Sequence, residues 1–115
     1  MGGQEQTSPG IKMIDTNLVK QRLPLAWAAD EEFLHMKQAH YQDAVTAKAG
    51  DFQFYILEYD RLFKGCRFTI SVVSGIGSCC GIFYQDCATL KDAIAAIQVW
   101  IKRTILDLSL ALSIG

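Results

Sequence analysis

The sequence predicts an α+β domain of two layers, a three-stranded antiparallel meander with N-terminal helices and a long C-terminal helix packed on it. Two observations carry this. From Asp51 the helical period gives way to segments rich in aromatic and β-branched residues, with Phe68, Ile70 and Val72 alternating with Arg67, Thr69 and Ser71. At Leu90 the helical period returns, with Leu90, Ile94, Ile97, Ile101, Ile105 and Leu108 on one stripe.

The first ten residues, MGGQEQTSPG, are polar and lack the basic start and apolar run of a secretory signal, so residues 1–10 read as a flexible tail and 11–115 as one domain. Next, IDTNLVKQRLP offers Asp15 or Thr16 as a helix cap, and Pro24 ends the segment. A second helix is expected from Asp30, Glu31 and Glu32 through Phe33, Lys37, His40, Tyr41, Ala44 and Val45, with Gly50 as its stop.

The stretches FQFYILEY and RFTISVVS are rich in aromatic and β-branched residues and read as strands joined by a DRLFKG loop. CCGIFYQ supplies a third strand. Thr89 with Asp92 three residues on matches a capping box and opens the last helix. The ending, LSLALSIG, fits either a strand or a prolonged helix.

A chain of 115 residues, half of them apolar, buries one core. The net charge is -1 and evenly spread, with 5 Lys/Arg against 6 Asp/Glu in residues 1–50 and 6 against 6 thereafter. No basic field is present to favour nucleic acid. With no export segment in sight, a cytoplasmic, reducing location and free thiols at Cys66, Cys79, Cys80 and Cys87 are expected. Charged Lys102, Arg103 and Asp107 interrupt the longest apolar stretches, so no membrane span is expected.

GIGSCCG, residues 75–81, invites comparison with a phosphate-cradling loop, but that use requires a helix to follow directly, and IFYQD reads as a strand. A turn is expected instead. Cys79 and Cys80 lack the Cys-x-x-Cys spacing of redox or zinc sites. Cys87, near a helix start, is the thiol best placed for a lowered pKa. His35 and His40, five apart, cannot share a metal from one helix. No catalytic set, metal or cofactor is therefore assigned.

The order of strands followed by ATLKDAIAAIQVWI resembles the HicB-type antitoxin domain over roughly residues 52–101. That family's acidic, proline-containing third strand is replaced here by CCGIFYQDC, and no residue roles carry over.

What remains is surface. If Phe52, Phe54 and Ile56 face the helices, then Tyr55, Leu57 and Tyr59 emerge on the other side of the sheet, joined by Phe83 if the register allows. Together with Leu110 and Leu112 these form the candidate surface for a protein partner or a second copy of the chain. The expected function is a non-enzymatic, homodimeric interaction module. The alternative is a small-molecule binding protein or minor enzyme with a helix–sheet pocket drawing on Tyr55, Cys80, Cys87 and His40.

Overall fold

The computed structural model describes residues 13–30, 40–74 and 81–114, with backbone only for residues 108 and 111–114. The chain order is α1 (Thr16–Arg22), β1 (Ala28–Ala29), β2 (Tyr41–Ala49), β3 (Phe52–Phe63), β4 (Cys66–Ser74), β5 (Gly81–Cys87) and α2 (Leu90–Ile114). The class is α+β, as expected, but the sheet has five strands, in the order β1-β2-β3-β4-β5 and antiparallel throughout.

The expected second helix is the main correction. Where its C-terminal half was placed, Tyr41–Ala49 form β2, paired residue for residue with β3 from Ala44↔Leu57 to Ala49↔Phe52. Val45, Ala47 and Ala49 face the core, while Thr46 and Lys48 point away. The alanines suit a helix, but a neighbouring strand and the Gly50-Asp51 turn override that preference. Gly50 has φ 61, a value wanted both by a residue just past a helix end and by the first position of a two-residue hairpin loop. Its presence therefore does not distinguish the two. The first half of the expected helix, including His35, lies outside the described residues.

Strands β3 and β4 also run further than expected, and the turn between them is only Lys64-Gly65, both at positive φ (53 and 79). This is the backbone of a type I′ turn, with a lysine where asparagine is usual. Residues 75–80 connect β4 to β5, which are antiparallel neighbours, and no helix follows until Leu90. The turn expected of GIGSCCG, with Cys79 and Cys80, falls on residues 75–80, which lie outside the described residues.

Helix α1 is capped by Asp15, whose carboxylate accepts from the Asn17 and Leu18 amides at 3.0 and 3.3 Å. It stops at Leu23, whose extended backbone is what a following proline demands. Helix α2 begins on Thr89, whose Oγ1 accepts from the Asp92 amide at 3.1 Å. The ambiguous C-terminal segment is helical through Ile114.

The core lies between one sheet face and the two helices. Phe54, Ile56, Ile70 and Val72 from the sheet meet Val19 of α1 and Ala93, Ile94 and Ile97 of α2, all at most 3 % exposed. Trp27 closes one end, buried with its indole N–H donating to the Leu23 carbonyl at 3.0 Å. The Gln98 amide donates to the Arg22 carbonyl at 3.0 Å and ties α2 to the end of α1.

Candidate interaction surface

The outer face of the sheet has no helix on it among the described residues, and its own tyrosines cover part of it. Tyr55, Leu57 and Tyr59 lie there, as alternation requires. From β3 the Tyr59 side chain crosses β4 and its hydroxyl donates to Asp86 Oδ1 on β5 at 2.8 Å. Tyr41 of β2 stacks on it, with centroids 5.2 Å apart, and Phe63 follows at 5.4 Å. In the adjacent row Leu57 is only 3 % exposed and Thr69 6 %.

Burial raises the Tyr59 hydroxyl pKa, and the hydrogen bond to the Asp86 carboxylate raises it further. Tyr41 is raised chiefly by burial, then by the Asp86 charge. Both therefore stay protonated at neutral pH, and the Tyr59 hydroxyl is the donor to Asp86. A β-bulge at Ile82 sets Phe83 opposite Val72, on the core side, and leaves Tyr84 on the outer face at 69 % exposure. Phe83 accordingly does not join Tyr55 and Tyr59; Tyr84 takes that place.

Midway along β3 a carboxyl group is fully enclosed. Glu58, 0 % exposed, accepts the Met13 backbone N–H at 2.7 Å and the Gln42 side-chain amide at 2.9 Å, with the Arg67 guanidinium 3.6 Å away. Gln42 sits at the irregularity between Tyr41 and Asp43, where the extra residue breaks the ladder and turns this side chain onto Glu58. The carboxylate fastens the segment entering α1 to the sheet.

The residues of the alternative pocket do not come together. Tyr55 is on the outer face, Cys87 is buried on the core face, His40 is exposed, and Cys80 lies outside the described residues. Cys87 also departs from the lowered pKa expected of it: burial, then the Asp92 carboxylate, pushes its thiol up to about 11. The helix start cannot offset desolvation in an apolar core. Among the described residues no group of three or more His, Cys, Asp or Glu side chains is placed to hold a metal.

A cleft does open where α2 leaves the sheet. It encloses about 240 Å³ between Leu25, Phe52, Phe54, Trp100, Ile101 and Ile105 and is almost wholly apolar. The Trp100 ring stands edge-on to Phe52 and Phe54 at 5.3 and 5.7 Å. Here the α2 stripe changes surroundings: Ile97 is 0 % exposed, and Ile105, two turns on, is 59 % exposed. Val99, Leu106 and Leu110 are also more than half exposed. Leu112 is on the helical backbone, its side chain outside the described residues.

Sequence reasoning missed Asp86, Glu58 and the exposed pair Val99 and Leu106. Only the last was visible there, as a seven-residue spacing followed by Leu110 four residues on. Among the described residues no helix is long and apolar enough to cross a membrane. No family model, curated protein or solved structure matches the chain.

Proposed function

We propose that this chain is a non-enzymatic protein-interaction module that works as a homodimer, a small binding, inhibitor or chaperone-like protein. The observation behind this reading is α2, which beyond Ile101 carries apolar side chains on both its faces with water around them. Large apolar side chains exposed on two faces of one helix are ordinarily enclosed by other protein. The test is a native mass spectrum of the tagged protein purified gently from cells of its source. A homodimer or a retained protein supports the reading; a monomer without a protein partner refutes it.

The cleft beside Trp100 favours a second reading, a small apolar ligand held between sheet and helix. Its volume suits a ligand of a few carbon atoms or the end of an alkyl chain. Titration with medium-chain fatty alcohols, followed by tryptophan fluorescence, would show saturable quenching, lost in Ile105→Trp, which fills the cleft. Linear, non-saturable quenching would dismiss it.

A further inference from the structure

Val99, Leu106 and Leu110 are 53, 57 and 52 % exposed. At ~100° per residue they lie roughly 180–220° around α2 from Ile97, squarely opposite the face that packs on the sheet. Core packing therefore gives no reason for them. Their spacings of seven and four make a heptad seam, with Arg103 at the remaining position.

We propose that this seam pairs antiparallel with the same seam of a second copy, about a dyad between Thr104 and Ile105. The inference rests on the interaction-module reading and names its partner. In this register Val99 meets the partner's Leu110, and Arg103 meets the partner's Leu106, each layer occurring twice by symmetry. Arg103 is then offset from the partner's Asp107 by one residue, ~1.5 Å along the axis, on the same side of the seam. Arg103 and Asp107 are both exposed and form no ion pair among the described residues.

Charge selects the orientation. A parallel pair would stack Arg103 on the partner's Arg103 inside the seam, whereas the antiparallel pair gives two opposite-charge contacts. The fold permits it sterically, because each sheet lies on the far side of its own helix. A lipid surface fits less well, since Arg103 and Asp107 interrupt the apolar face with both signs of charge.

The experiment is sedimentation equilibrium of the full chain over a wide concentration range. The wild type is expected to dimerise, and Leu106→Glu to weaken the dimer roughly 30-fold. Arg103→Asp and Asp107→Arg should each weaken it about tenfold, and the double exchange should restore it to within about threefold. All three positions are exposed, so circular dichroism and the urea midpoint should stay at wild-type values and separate lost pairing from lost folding.

A dimer indifferent to Leu106→Glu, or a double exchange that fails to restore it, overturns the seam while leaving the broader reading intact. A monomer that captures a different protein overturns the seam and the homodimer, and leaves only the interaction-module part of the reading. A monomer that floats with phosphatidylcholine vesicles through Leu106 overturns the seam in favour of a membrane surface. A monomer that binds neither overturns both.

Discussion

Removing the buried carboxylate at Glu58 should loosen the N-terminal segment before it disturbs the sheet. Glu58→Met keeps the side-chain volume and deletes both acceptors, those of the Met13 amide at 2.7 Å and the Gln42 amide at 2.9 Å. Hydrogen bonds to a charged acceptor contribute about 1.5–3 kcal/mol each. Met13 is 52 % exposed, so its amide can return to water and the larger part of its penalty is avoided. The new apolar side chain recovers about 1–2 kcal/mol by burial. The net loss should be about 2 kcal/mol, and about 1 kcal/mol for Glu58→Gln, which keeps one acceptor. Urea unfolding would show this as a midpoint lowered by roughly 1 M at constant slope. Amide exchange at Met13 should quicken in the same variant. Should Glu58→Met prove as stable as wild type, desolvation of the carboxylate outweighs its bonds, and the anchoring argument fails.

Cys87 should resist modification: with a folded pKa of about 11 against 9.0, its thiolate fraction at neutral pH is about a hundredfold lower than in the unfolded chain, and site-resolved alkylation should slow by that ratio. Because the folded state holds this proton more tightly, the associated stability is present below pH 9.0 and is lost as pH rises to about 11, by at most about 2–3 kcal/mol, which urea midpoints across that range would report. Lys64→Asn should raise stability by about 0.5 kcal/mol by relieving the positive φ of 53, less the lost contact of the ammonium with the Phe63 ring; no gain in the urea midpoint would mean that the turn is not strained. Leu57→Asp should unfold the protein or cost more than about 3 kcal/mol, whereas Tyr84→Asp on the same face should stay within about 0.5 kcal/mol; equal effects would show that the two sites do not differ in burial as the fold requires.

What could be read from the sequence was whatever local chemistry settles unaided. The Asp15 and Thr89 caps, the alternation of β4 and the stripe of α2 as far as Ile101 depend on neighbours within a few residues, and each is found in the fold. β2 was misread because Tyr41–Ala49 hold alanines at positions that satisfy both periods, and only the pairing with β3 decides between them. Phe83 faces the core for a similar reason, since its side follows from its pairing with Val72 on β4, which leaves no local mark in the sequence. Glu58 was invisible as a buried group. Its partners come from Met13, Gln42 and Arg67, and no spacing in the chain announces that they meet.

The two exposed aromatic and apolar regions differ in what the fold has already done for them. On the sheet, the Tyr59 hydroxyl is bound to Asp86, its ring is stacked on Tyr41, and Leu57 is enclosed, so much of that surface has protein contacts within the monomer. On α2, helix propensity is the competing explanation, because leucine is a good helix former and needs no partner to be useful there. It accounts for Leu106 and Leu110 but not for Val99 or Ile105, whose β-branched side chains lower helix propensity, and alanine would serve helicity better at all four positions. Side chains that weaken the helix while facing water gain stability only when something covers them. Under the proposed function the pairing surface is then α2 rather than the sheet, and Val99→Ala is a sharp variant: it should raise helicity while weakening the dimer, a combination that propensity alone does not produce.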